Sequence, residues 1–80
     1  MFLSKTVAQR VREILAERNM TQAQLERLST IHHGTMNDFL KGEYKTPSMK
    51  TVYLIIKALD MKMHEFFNSP LFDNENIEVD

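Results

Sequence analysis

The sequence predicts an all-α fold of five helices, on three observations. Apolar residues recur at spacings of three and four along most of the chain, as on one face of a helix. Residues that cap helices, such as Thr21, Gly42 and Ser48, stand at the expected boundaries. The helical spacings outweigh any strand pattern, because strict alternation of polar and apolar residues is confined to short runs of five or six positions such as 59–64 and 76–80. The apolar run 53–56, which could form a buried strand, is flanked by helical patterns on both sides.

Length and composition limit the possible functions. The chain has 80 residues, enough for one domain, and such a domain buries only roughly 60 to 65 per cent of its unfolded surface. It contains no cysteine, which excludes disulfides, thiolate metal sites and thiol catalysis. No apolar run approaches the roughly 18 residues of a membrane span, and the first residues lack the pattern of a signal peptide. We therefore expect a soluble, cytoplasmic protein.

The first helix is predicted from about residue 4 or 5 to Arg18. Its apolar face consists of Val7, Val11, Ile14 and Leu15. Asn19 and Met20 follow as its end. This face is expected to pack into the core.

The second helix is predicted to begin at Thr21. Thr21 and Gln24 have the spacing of a capping box, in which each side chain bonds the other residue's backbone N–H. Leu25 and Leu28 are three apart and are expected on one buried face. Residues 29–30 then break the pattern, and Ile31 joins the same core after this turn.

The third helix carries Met36, Phe39 and Leu40 at apolar spacing and ends at Lys41 and Gly42, a basic last turn followed by a left-handed cap. Its opposite face is polar. The residues expected on that face are His33, Gly34, Asn37, Asp38 and Lys41.

Two further helices complete the prediction. Pro47 disfavours a helical conformation of the residue before it, so that Ser48 caps the fourth helix. This helix has the richest apolar face in the chain: Met49, Val52, Ile55, Ile56 and Leu59. Residues 60–62 break the pattern, and Met63, Phe66 and Phe67 predict a short last helix.

Charge is distributed unevenly along the chain. The net charge is −1, but residues 1–72 hold ten Lys or Arg against seven acids, giving +3, whereas residues 73–80 hold four acids and no base, giving −4. We therefore predict a folded domain over 1–72 and an acidic, flexible tail over 73–80. Because distant charges are screened over about 8 Å at physiological salt, the mildly basic body matters more to an anionic partner than the total does.

The central region resembles a known family. The matching positions are Thr21, Gln22, Leu25, Ser29, Ile31, Thr35, Met36, Lys41, Gly42, Pro47 and Ser48. Followed by an aliphatic helix, they resemble the phage Cro and repressor type of helix-turn-helix, the XRE family, over roughly residues 5–68. The resemblance implies a compact, five-helix, lambda-repressor-like DNA-binding domain with the motif at helices 2 and 3.

The chain departs from the family pattern at two positions. Glu26 stands where the family usually has a small Ala, and Thr30 stands where the turn usually has Gly. A Thr at positive φ costs about 1 to 2 kcal/mol. Either the turn is built differently here or the strain is tolerated.

In a helix-turn-helix the second motif helix enters the major groove, which nominates His33, Gly34, Asn37, Asp38 and Lys41 as base-reading positions. Asn37 has the groups to pair with adenine N6 and N7, Asp38 to accept from cytosine N4, and His33 to donate to guanine or a phosphate. Gly34 permits close approach. The alternative for each is an ordinary solvated helix face.

Contacts to the DNA backbone are expected around that helix. The resemblance implies that Gln22 is the phosphate-binding glutamine, assisted by the dipole of its helix. Further candidates are Thr21, Thr35, Tyr44, Lys45 and Ser48. These contacts would position the protein without selecting a sequence. For Lys45, the alternative is an ordinary loop lysine.

Metal binding and catalysis are not expected. Neighbouring His32 and His33 point about 100° apart on a helix, and neither Cys nor clustered acids join them or His64. No phosphate loop, HExxH or GxSxG motif is present. We expect that the protein is not an enzyme and that it binds neither a cofactor nor a small-molecule ligand.

The leading hypothesis is a transcriptional regulator of prokaryotic or phage type that binds double-stranded DNA at a specific sequence. It is expected to act as a repressor by occupying an operator. The alternative is a protein-interaction module of the same fold, such as an antitoxin or antirepressor partner. It is favoured by the near-neutral charge, by Asp38 on the polar face, by Glu26 in the motif and by the apolar C-terminal end. The apolar C-terminal end either forms a homodimer contact or covers the monomer's own core. Its residues are Phe66, Phe67, Leu71 and Phe72.

Overall fold

The computed structural model describes residues 1–43 and 47–79. It confirms the all-α prediction. The described residues form five α-helices, and two short 3-10 turns follow them. The helices are α1 (Leu3–Glu17), α2 (Gln22–Ser29), α3 (His33–Lys41), α4 (Met49–Ala58) and α5 (Met63–Phe67). Helix α1 packs mainly against α3, and α2 packs against α4 and α3.

The predicted apolar faces meet in one core. It contains residues of all five helices, and those that lie wholly inside include Val11, Leu25, Met36, Ile55, Ile56 and Phe66. Ile31, after the turn, packs against this core as expected. In these helices the burial follows the helical period, because one face of each must be removed from water.

Two residues predicted on buried faces are exposed. Leu28 is 58 % exposed and Met49 is 64 % exposed. In α2 the buried positions are Leu25 and Ser29, so the inward stripe follows the spacing of four and leaves Leu28 about 100° away from Ser29. Met49 is the first residue of α4, where the helix end extends beyond the core.

The predicted caps are confirmed. Thr21 Oγ1 accepts a hydrogen bond from the backbone N–H of Gln24, and Gln24 Oε1 accepts one from the N–H of Thr21. Ser48 Oγ accepts from the N–H of Thr51 at 3.1 Å. Gly42 ends α3 at φ +72°. The local sequence therefore sets the ends of α2, α3 and α4.

The turn between α2 and α3 keeps the left-handed geometry that the family builds with Gly. Thr30 adopts φ 62°, and its hydroxyl donates to the carbonyl oxygen of Ser29 at 2.5 Å. Of the two alternatives left open by the sequence, the strain is therefore tolerated. Directly after the turn, α3 is anchored in the core by its buried residues Met36, Phe39 and Leu40.

Two arginines of α1 and Arg18, the residue directly after it, bond to the C-terminal ends of other helices. Arg12 donates to the carbonyl of Leu40 in α3, and Arg18 donates to the carbonyl of Leu59, directly after α4. Arg10 donates through Nε to Phe66 O at 2.7 Å. Cations at these ends complement the partial negative charge of the unpaired carbonyls.

Most side chains of residues 73–79 are exposed, and the backbone of Glu78 pairs with the first residues of the chain. The backbone carbonyl of Glu78 accepts a hydrogen bond from the N–H of Leu3 at 3.0 Å, and its N–H donates to the carbonyl of Met1 at 2.9 Å. The Met1 ammonium donates to the carbonyl of Asn76 at 2.8 Å. The sequence did not indicate this pairing with the first residues, because the pairing joins opposite ends of the chain. The division into a domain over 1–72 and a flexible tail over 73–80 stays a prediction.

The C-terminal aromatic residues contribute to the monomer's core. Phe66 is fully buried, and Phe67 and Phe72 pack against the core with ring centroids 5.0 Å from each other. Phe66 is thus unavailable to a surface contact, whereas Phe67, Leu71 and Phe72 are partly exposed. In residues 1–43 and 47–79, no helix has the length and apolar character needed to cross a membrane.

Candidate nucleic-acid interface

Helix α3 has one buried face and one polar face. Met36, Phe39 and Leu40 point into the core. At 100° per residue, the predicted base-reading positions cover an arc of about 140° on the other side. Their exposure agrees with this geometry: His33, Gly34, Asp38 and Lys41 are exposed, and Asn37 is half-buried. The core therefore buries one face of α3, and the polar face lies towards solvent.

A short chain of hydrogen bonds joins α2 to the beginning of α3. Gln22 Nε2 donates to Glu26 Oε2 at 2.8 Å, and His33 Nδ1 lies 2.8 Å from the same oxygen. The His33 side chain is 73 % exposed, whereas that of Glu26 is 17 % exposed. Glu26 thus brings together a predicted phosphate residue and a predicted base-reading residue.

The hydrogen bonds at Glu26 favour its ionised form. The pKa of Glu26 lies below its ordinary value of 4.5, first because of the hydrogen bond from Gln22 and then because of His33, while desolvation acts in the opposite direction. Glu26 is therefore a carboxylate at neutral pH. In this state it can only accept hydrogen bonds.

The sequence shows Glu26 as a departure from the family pattern that favours the protein-interaction alternative, but it predicts no contact for this side chain. Its spacing of four from Gln22 is a usable signal for a contact within one helix. The contact with His33 spans the turn and depends on how α2 and α3 cross. The sequence pattern does not give that crossing.

The two glycines differ in their surroundings. A Cβ at Gly34 would meet nothing within 4 Å, so the first turn of α3 presents an open, side-chain-free spot on the polar face. A Cβ at Gly42 would lie 2.8 Å from Cγ and 3.2 Å from Cα of Lys5. Gly34 therefore fits a role in close approach, and Gly42 fits helix packing.

The predicted phosphate-binding residues have partly used their hydrogen-bonding groups. The hydroxyls of Thr21 and Ser48 accept bonds as helix caps. The Ser48 hydroxyl also lies 3.0 Å from that of Thr51, and either of these two can be the donor. One amide hydrogen of Gln22 is directed to Glu26, which leaves the second. Thr35 is half-buried in the first turn of α3. Tyr44 and Lys45 lie outside the described residues.

Asp38 faces solvent next to the proposed contact residues. Among residues 1–43 and 47–79, no Lys, Arg or His nitrogen lies within 4.0 Å of its carboxylate. An exposed carboxylate on this face repels phosphates, so a role for Asp38 requires a donor on a base.

Two helices joined by a tight turn, with the second held by the core and polar outside, define a helix-turn-helix. The chain matches the Cro/C1-type HTH DNA-binding domain over residues 10–70, and it belongs to that family. This confirms the resemblance and the lambda-repressor-like fold drawn from the sequence.

The comparison with curated proteins finds a relative in Archaeoglobus fulgidus that is described as an uncharacterized HTH-type transcriptional regulator. It is 32 % identical over 68 residues, which cover 85 % of this chain and 90 % of the relative. No solved structure matches the chain.

Proposed function

We propose that the protein is a sequence-specific regulator that binds double-stranded DNA in the cytoplasm and represses transcription by occupying an operator. The observation that supports it best is the polar outer face of α3, which stands opposite a fully buried Met36. A rigid helix with this division of faces suits insertion into the major groove. The family and the description of the relative agree with this proposal.

The polar face would read bases through a few groups. Asn37 has the donor and acceptor to pair with adenine N6 and N7, and Asp38 would accept from cytosine N4. Lys41, in the last turn of α3, would reach guanine or a nearby phosphate. The open spot at Gly34 would let the backbone approach the DNA. His33, the first residue of α3, is the remaining base-reading position.

Backbone phosphates would be bound at the N-terminal ends of the motif helices. Gln22 offers its second amide hydrogen. The unpaired N–H groups and the partial positive charge at the N-terminal end of α2 favour a phosphate there as well. Thr21, Thr35 and Ser48 offer hydroxyl protons. These contacts would fix the register on the duplex and make affinity depend on salt.

We further propose that the protein acts as a dimer on a two-fold operator. The partly exposed Phe67, Leu71 and Phe72 form the proposed contact, without the buried Phe66. Two copies related by a dyad would place their α3 helices in half-sites about one helical turn of DNA apart.

Selection from a genomic fragment library at graded salt tests the proposal. We expect a selected palindromic site and a log affinity that falls with log salt. Asn37→Ala should relax selection at one base pair, at a cost of about 1 to 3 kcal/mol in binding free energy. Asn74→Ala, a change in the exposed tail, is the matched control and should bind as the unchanged protein does. No selected site, or a slope near zero, would reject the proposal.

A second candidate function is a protein-interaction module of the antitoxin or antirepressor type. It is favoured by an open groove of about 330 Å³ between α2 and α4, lined by Leu28, Leu54 and Ala58 among others. The exposed Leu28 lies at its edge. Co-purification with one protein partner, retained after Lys41→Glu while DNA binding is lost, would establish this function beside or instead of the first.

A further inference from the structure

The two ring nitrogens of His33 have different surroundings. Nδ1 lies 2.8 Å from the carboxylate oxygen of Glu26. Among the described residues Nε2 has no hydrogen-bond partner, and the side chain as a whole is 73 % exposed. His33 is the first residue of α3, the end of a recognition helix that approaches the bases. The outer nitrogen is therefore the one available to DNA.

The partner of Nδ1 determines which nitrogen carries the proton. A carboxylate accepts hydrogen bonds and cannot donate them. A neutral imidazole has one N–H, so an N–H at Nδ1 leaves Nε2 with a bare lone pair. Gln22 donates to the same Glu26 oxygen at 2.8 Å, and the lowered pKa of Glu26 keeps that oxygen in its accepting form.

We propose that Glu26 is a positioning residue that fixes the tautomer of His33, so that α3 presents an acceptor at its first position and reads an exocyclic amino group of adenine or cytosine. This inference rests on the proposed DNA-binding function. It replaces the role given to His33 from sequence alone, which was donation to guanine or a phosphate. In the major groove, adenine N6 and cytosine N4 supply amino donors, whereas guanine and thymine supply acceptors at the corresponding positions.

The residue type at position 26 is central to this proposal. With Ala there, as is usual in the family, nothing would hold Nδ1–H, and both neutral tautomers would be available to His33. The helix could then either accept from an amino group or donate to a keto group. Glu26 therefore converts a residue of ambiguous hydrogen bonding into a reader of one base class.

Two measurements test the proposal. The first is the long-range ¹H–¹⁵N correlation spectrum of the free protein at about pH 8.5, on the alkaline side of ordinary imidazole titration, with His33 assigned by comparison with His33→Gln. We expect a protonated Nδ1 and an unprotonated Nε2. In Glu26→Ala the two nitrogens should shift towards the averaged values of exchanging tautomers. Glu17→Ala, an exposed acid on α1, should leave the His33 signals unchanged.

The second measurement is base preference in selected sites. Wild type should prefer adenine or cytosine at one position, and His33→Ala should lose that preference. Glu26→Ala should lower discrimination against guanine and thymine there by about tenfold, the effect of a hydrogen bond of about 1.4 kcal/mol. Selection with all four bases distinguishes adenine from cytosine. Glu17→Ala is again the control.

The outcomes separate this inference from the proposed function. A proton on Nε2 in wild type, a preference for guanine or thymine at the His33 position, or an unchanged preference in Glu26→Ala would overturn the inference while DNA binding stands. If wild type selects no site, the proposed function fails and the base reading fails with it. The nitrogen shifts would still decide the tautomer separately, because they are measured without DNA.

Discussion

Gly42 offers a sharp test of how α3 is fixed against α1. It ends α3 at φ +72°, and a Cβ there would lie 2.8 Å from Cγ and 3.2 Å from Cα of Lys5. A rotamer change moves Cγ but not Cα. Gly42→Ala therefore strains the backbone and also forces the two helices apart.

The expected change in the free energy of unfolding of Gly42→Ala is the sum of three contributions. A non-Gly residue in the left-handed region costs about 1 to 2 kcal/mol. Overpacking against a backbone atom costs about 1 to 3 kcal/mol. The reduced entropy of the unfolded chain returns about 0.4 to 1 kcal/mol. We expect Gly42→Ala to lower the free energy of unfolding by about 3 kcal/mol, which corresponds to a Tm lower by roughly 12 to 24 °C for a domain of this size.

Urea unfolding followed by circular dichroism measures this change, with the m-value as a check on two-state behaviour. Gly34→Ala is the matched control, because its Cβ meets nothing within 4 Å. That variant should be more stable by about 0.5 to 1 kcal/mol, yet should bind DNA more weakly if the backbone approaches the duplex. A loss below about 1 kcal/mol in Gly42→Ala, at an unchanged m-value, would refute the reasoning.

Three further predictions concern helix ends and charge. Arg12→Ala should lower the free energy of unfolding by about 1 to 3 kcal/mol, because it leaves the C-terminal carbonyl at Leu40 without its charged donor. Arg27→Ala, an exposed change, should stay within about 0.5 kcal/mol, and equal losses in urea titrations would contradict the account. Ser48→Ala should cost about 1 kcal/mol through loss of the cap on α4, and thermal melts showing no loss would disprove it. The pKa of Glu26 is lowered in the folded state, so its contribution to stability is present above its ordinary value of 4.5 and is lost as pH falls through the folded pKa. Urea midpoints from pH 7 to 3 should fall less in Glu26→Ala than in wild type, and parallel curves would contradict this.

Local sequence signals predicted most of the fold. The caps at Thr21, Gly42 and Ser48 depend on groups within a few residues of one another, so their spacing is visible in the sequence. The core positions of α1 and α3 follow from helical periodicity for the same reason. The polar face of α3 was predictable because it is what remains when the apolar residues are placed inside.

Features that depend on how helices cross were not predictable. Leu25 and Leu28 satisfy the same spacing rule, yet α2 buries Leu25 and leaves Leu28 at the surface. The contact of Glu26 with His33 spans a turn at left-handed Thr30. In each case the sequence spacing limits which residues can be buried or can meet. The packing of neighbouring helices then decides which of them do.

The arginine bonds of α1 bear on how this domain opens. They join residues 28, 41 and 56 positions apart, so each closes a long loop and forms only in a chain that is already compact. Detaching α1 would release the ends of α3, α4 and α5 together. Amide hydrogen exchange at those ends should then proceed through one shared opening instead of independent fraying. The order of α3 would in that case be coupled to that of α4 and α5.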